Sequence, residues 1–150
     1  MAIAIALHLL CAVIWIGGMF FAILVLRPAA ESLELDQRVT LWAGVLGRFF
    51  VWVWGAVLLL PVTGYWMVWR GFGGLDGVGL HVHIMQGLGW SMIGLFAWVF
   101  CGPFRHMRRM HRQLLIPEAG LYILRIRIVV ILNLVLGLLL VLTAAAGRYW

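Results

Sequence analysis

"LHVHIMQGLGWSMIGLFAWVFCG", residues 80–102, contains no charged side chain and opens on two histidines one residue apart. A spanning helix needs about 20 apolar residues, because ~30 Å of hydrocarbon is crossed at ~1.5 Å per residue. This stretch is long enough. Three more apolar runs, at residues 2–26, 48–70 and 125–147, meet the same requirement. The pattern predicts an all-α fold, a four-helix transmembrane bundle that takes up residues 1–150 as one integral-membrane unit.

Composition leads to the same class. Hydrophobic residues make up 65% of the chain and charged residues 11%, with a mean hydropathy of +1.09, which is incompatible with a soluble domain of this size. The first run has no basic segment before it, is long, and is followed by Arg27 without a small-residue cleavage pattern, so it reads as a retained helix. Between the runs, "RPAAESLELDQRVTLWAGVLGR" is mixed in charge and suits an interfacial helical turn. "GFGGLDGVG" reads as a glycine-rich turn, and "GPFRHMRRMHRQLLIPEAG" as a basic loop with proline near both ends.

All eleven basic residues are arginine. Arg27, Arg38 and Arg48 follow the first run, and Arg105, Arg108, Arg109, Arg112, Arg125 and Arg127 follow the third. Both groups fall on one side of an antiparallel bundle, and only Arg70 and Arg148 fall on the other. The positive-inside rule then predicts N- and C-termini on the periplasmic side. The basic balance reports topology and contact with anionic lipid, and no feature resembles a nucleic-acid reader.

Histidine inside a spanning helix is costly enough to mark a candidate site. His8 lies ~9 Å along the first helix. His81 and His83 open the third helix, which starts from the same side of the membrane. Residues i and i+2 point about 200° apart on a helix, so His81 and His83 cannot both face one ligand. His83 shares its stripe with Gly87 and Trp90, where a small residue leaves room for a flat group, and takes the inward role; His81 is the alternative partner. Gln86, three residues on, is placed to orient His83. On the first helix Cys11, Ala12 and Trp15 follow His8, and then comes the pair Gly17 and Gly18, which suits close approach of a helix, a cofactor or a second copy of the chain in a homo-oligomer. Thr63, Gly64 and Met67 of the second helix lie at comparable depth. Asn133 of the fourth helix and Gln86 of the third are expected to hydrogen-bond between helices.

Two imidazoles facing each other across a bundle suit the axial positions of haem b, with Gly87 and Gly64 making space and Arg70 and Arg148 meeting the propionates. Such a centre serves electron transfer with quinone or a periplasmic redox partner, or a haem-dependent membrane oxidoreductase acting on a small molecule. Copper is the competing ligand, drawing on His8, His81 and His83 with Cys11, Met67 or Met85. A third reading is a non-catalytic membrane subunit of a larger complex. Cys11 and Cys101 sit near opposite faces and are not expected to pair. His106 and His111 belong to the basic loop and are expected to be solvated. The tryptophans, Trp66, Trp69 and Trp150 among them, read as belt and packing residues.

The texts "LHLLCAVIWIGGMFF", "GLHVHIMQGLGWSMIGLF" and "LRIRIVVILNLVLGLLLV" resemble the copper-resistance protein D (CopD) family of bacterial inner-membrane proteins. That resemblance implies a multi-pass protein of the bacterial inner membrane involved in copper uptake or export. The first two texts also resemble the HemJ-type proteins of haem biosynthesis. This second resemblance implies haem b ligation at His8, and His81 matches the third-helix histidine of that pattern. Where the HemJ pattern has a lysine, this chain has His83, and the chain contains no lysine. The exchange argues against protoporphyrinogen oxidation and for a two-histidine haem.

Overall fold

The computed structural model describes residues 1–147, except for the side chains of Phe72 and Asp76. Arg148, an expected propionate partner, and Trp150 lie outside the described residues. The described residues form four long helices, each apolar enough over a membrane-spanning length to cross the bilayer, and no strand. They are α1 (Ala2–Ser32), α2 (Leu35–Phe72), α3 (Leu80–Arg112) and α4 (Ile116–Ala146). The protein is a multi-pass membrane protein. One end of the bundle, the terminal end, carries residue 1 and residue 147; the other is the arginine end.

The helices run well beyond the apolar runs. At ~1.5 Å per residue, the 38 residues of α2 span ~57 Å, nearly twice the hydrocarbon thickness. At the arginine end the expected basic loop is therefore mostly helical, and the expected interfacial helical turn is part of the long helices α1 and α2. Arginine, leucine, methionine and glutamine are good helix formers, and hydropathy alone does not separate a polar helix extension from a loop. A capping box starts α2: the Glu34 side chain accepts from the backbone of the first turn, and the Glu34 N–H donates to Gln37 Oε1 at 3.3 Å. At the terminal end Gly73 closes α2 in the left-handed region, at φ 73°, where a side chain would be strained.

Three prolines sit inside continuous helix: Pro61 interrupts the α2 ladder without a π turn, whereas the ladder widens around Pro28 and Pro103. Pro28 has no N–H to offer the carbonyl four residues back, and in the preceding π-helical turn, Ala22–Leu26, the Arg27 N–H bonds to Ala22 O, five residues back. Pro103 lies within a second π-helical turn, Phe100–Phe104. From there α3 continues as Arg105–Arg112.

Packing pairs α1 with α2 and α3 with α4, while α4 also touches α1 and α2. Gly18 makes the first pairing close: a Cβ there would overlap the Phe49 ring. Gly137 does the same for α4, where a Cβ would come within 3.0 Å of Ile16 and 3.2 Å of Met92. The mid-bundle core is aromatic, with Phe50 edge-on to Phe96 at 5.4 Å and to Phe104 at 4.8 Å. Outward positions such as Trp52, Val62 and Leu142 are apolar and exposed, as lipid contact requires. At the arginine end Met107 is fully buried between the helix extensions, and Thr40 Oγ1 and His111 Nε2 are hydrogen-bonded at 3.0 Å. His106 bonds to Gly102 O and stacks on Tyr122. His106 is exposed, as expected, while His111 is only partly so.

Candidate functional site

Among the described residues, α2 and α3 make almost no direct contact in their terminal halves. The gap between them is a cavity of about 310 Å³. Its back wall is the α1 stripe His8, Ala12, Trp15 and Ile16, spaced as one helix face requires. On the α2 side stand Pro61, Gly64, Tyr65 and Met67; on the α3 side Val82, Met85, Gln86, Gly89 and Trp90; Met92 and Leu140 contribute below. Trp90 Nε1 donates to Tyr65 OH at 3.3 Å, linking α2 and α3 beside the cavity.

One imidazole lines this space. His8 Nδ1 lies 2.8 Å from Thr63 Oγ1, and Thr63 is buried. The Thr63 hydroxyl has one proton, which goes back to Leu59 O at 2.6 Å, with Leu60 O at 3.2 Å. Oγ1 is left as an acceptor, so His8 Nδ1–H is the donor. This assigns the tautomer from the hydrogen-bond network and leaves Nε2 as an unprotonated nitrogen, the form a metal needs. Gly64 lies beside the ring: a Cβ there would stand 3.4 Å from His8 Cε1, in ordinary van der Waals contact. The remaining donors on the wall are neutral, namely the thioethers of Met67, Met85 and Met92, the Tyr65 hydroxyl and the Gln86 amide.

The other expected site residues fall elsewhere. His83, given the inward role on sequence grounds, is exposed, and the stripe that faces the cavity is Val82, Met85, Gln86 and Gly89. Gly87 shares the exposed face and has open space around it. His81 packs against the end of α4, where a Cβ on Gly147 would be 2.5 Å from its own Cβ. Gln86 lines the cavity and, among the described residues, makes neither the expected hydrogen bond between helices nor one to His83. Arg70 is exposed, with its guanidinium 5.9 Å from the Trp66 ring. Cys11 is buried in the core, outside the cavity wall, and Cys101 is exposed; both are free thiols. Among the described residues no three His, Cys, Asp or Glu side chains gather as a metal site. The expected facing pair of imidazoles is not gathered around this cavity.

Sequence reading did not find the Tyr65 to Trp90 bond or the position of Met92. No local pattern marks either, since both depend on how α2 and α3 are rotated. Asn133 does bond between helices as expected, its Nδ2 donating to Met92 O at 3.4 Å.

No curated protein and no solved structure matches the chain. Residues 43–147 match the family described as copper resistance protein D. The matched region takes in the α2, α3 and α4 walls of the cavity, while His8 on α1 precedes it. Since the match covers well over half of the sequence, the chain belongs to the copper resistance protein D family.

Proposed function

We propose that the cavity binds monovalent copper as cargo, with His8 Nε2 as its nitrogen donor and the Met67 and Met85 thioethers as its sulfur donors. The observation that carries this reading is the orientation of His8 by Thr63, which leaves a free imidazole nitrogen in a cavity whose other donors include thioethers. Soft sulfur with imidazole is the donor set that Cu(I) prefers. No carboxylate lines the cavity among the described residues. Neutral donors in an apolar wall suit a single positive charge better than a double one. The family supports the metal, and the arginine distribution supports a cavity that opens on the periplasmic side of the inner membrane.

A haem b reading draws on one observation: the cavity is larger than a bare ion needs. The residues do not fit a two-histidine haem, because among the described residues His8 is the one histidine that lines the space and Arg70 does not line it. The test is an optical spectrum with elemental analysis of the detergent-purified protein, followed by anaerobic Cu(I) titration against a chromophoric chelator. The expected result is a colourless protein that takes up stoichiometric copper and loses it in His8→Ala. A Soret band with matching iron, or an unchanged copper affinity in His8→Ala, overturns the proposal.

A further inference from the structure

Much of the charge at the arginine end has no partner within the fold. No acidic residue stands between Asp76 and Glu118, whereas Arg105, Arg108, Arg109 and Arg112 fall within eight consecutive residues. Among the described residues the ion pair is that of Arg27 with Glu31, so these four arginines, with Arg125 and Arg127 of α4, meet no carboxylate. Met107 is fully buried and Met110 packs against the core, which fixes the rotation of this part of α3. Arg105, Arg109 and Arg112, at i, i+4 and i+7, then share the outward face, and all three are exposed.

Where α3 meets α4, the His106 ring stacks on Tyr122 with centroids 5.5 Å apart, and Arg125 Cζ lies 5.4 Å from the centre of the same tyrosine ring. A guanidinium laid over an aromatic ring spends its face there and keeps its N–H edge, the fork that matches two phosphate oxygens. His106 is held in turn by its Nδ1–H, which donates to Gly102 O at 2.9 Å. Gly102 leaves the helix surface beneath that ring open, since nothing stands within 4 Å of where its Cβ would be. The depth is informative. Arg105 directly follows the uncharged run that starts at residue 80, and Arg127 directly precedes the one that ends at residue 147. The seam therefore lies where hydrocarbon stops and lipid phosphates begin. Toward the membrane centre Trp98 of α3 and Ile128 of α4 are exposed and offer apolar surface to acyl chains. A soluble acidic protein would reach this level only by displacing headgroups.

We propose that the seam between the end of α3 and α4 is a binding site for the headgroup of an anionic phospholipid, with Arg109 and Arg125 gripping the phosphate, Arg105 alongside and the His106–Tyr122 stack as the wall. The site is independent of what the His8 cavity binds. The full chain, purified in a neutral detergent and titrated with phosphatidylglycerol, reports the site by native mass spectrometry of the retained lipid. The wild type is expected to retain phosphatidylglycerol and to release phosphatidylcholine, which has the phosphate without the net charge. Arg109→Gln and Arg125→Gln should each weaken retention about fivefold, the effect of one basic residue at a charged membrane surface. Arg125→Lys should also weaken it, because an ammonium keeps the charge and loses the fork. Arg70→Gln, at the other end of the bundle, should bind as the wild type does, and unchanged thermal melts without lipid report that each variant is folded. Wild-type retention in both Arg109→Gln and Arg125→Gln, or an equal loss in Arg70→Gln, overturns the site. Displacement of the lipid by an equal concentration of inorganic phosphate assigns the seam to a free anion, and capture of polyglutamate without retention of phosphatidylglycerol assigns it to an acidic protein; either result overturns the proposal.

Discussion

Replacing Thr63 by valine removes one oxygen at nearly constant volume and tests the argument for His8 most directly. In the native arrangement the hydroxyl gives its proton to Leu59 O and accepts from His8 Nδ1–H at 2.8 Å. Leu59 O loses little in the variant, since the helical N–H of residue 63 still reaches it. His8 loses its only side-chain anchor among the described residues. Its Nδ1–H is then left with at best the Leu60 carbonyl, at a cost of up to about 1–3 kcal/mol, or the ring turns and the proton moves to Nε2, removing the nitrogen a metal needs. Loss of an orienting partner behind a metal-bound histidine costs about 10–100-fold in affinity, equivalent to roughly 1.4–2.8 kcal/mol, which lies within that range. Anaerobic competition titration against a Cu(I) chelator should show a loss in that range for Thr63→Val and near recovery in Thr63→Ser. Nitrogen NMR of labelled histidine should show an unprotonated Nε2 in the metal-free wild type. Equal affinity in the valine variant, together with a protonated Nε2 in the wild type, would refute the reasoning.

Other residues give sharper or opposite expectations. His83→Ala and His81→Ala should leave Cu(I) affinity within about twofold of the wild type, since neither ring lines the cavity and neither supplies a donor; a loss as large as that of His8→Ala would return both to the ligand set. Gly137→Leu should lower thermal stability by about 1–3 kcal/mol through overpacking against Ile16 and Met92, measured by thermal melting in detergent; an unchanged melt would mean that α1, α3 and α4 are not packed as described. His111→Ala removes a partly exposed hydrogen bond to Thr40 and should cost only about 0.5–1.5 kcal/mol, with Cu(I) affinity untouched in the same titration.

The four spans were legible because hydrocarbon thickness sets a minimum apolar length, and each run from Ala2 to Gly147 exceeds it. Their true ends at the arginine side were not. Asp36, Arg38 and Arg105 to Arg112 are polar, and polarity marks where hydrocarbon stops without marking where a helix stops. Pro28 and Pro103 look like breaks in the text because a missing N–H interrupts the regular ladder, yet a single π turn absorbs each. At the site, His8 could be found because an imidazole among apolar neighbours stands out, and its neighbours Trp15, Gly64 and Met67 do line the same cavity. The choice between His81 and His83 was a question of helix rotation. In a membrane helix that is apolar all round, hydropathy has little angular contrast, so rotation is set by packing. Here the contacts of Met92 with α4 and of His81 with Gly147 turn α3 so that Val82, Met85 and Gln86 face inward, and none of these contacts is encoded within α3 itself.

The unbroken length of α2 has a mechanical consequence. Thr40, tied to His111 outside the hydrocarbon, and Leu60, on the cavity wall, belong to one helix and lie ~30 Å apart along it. With Pro61 as the first soft joint, tilting the aqueous end by about 3° swings the far end sideways by about 1.5 Å, comparable to the slack around a bound ion. A force applied at the arginine end is therefore felt at the opposite side of the bilayer as a change in width between α2 and α3, carried by the backbone and independent of any loop.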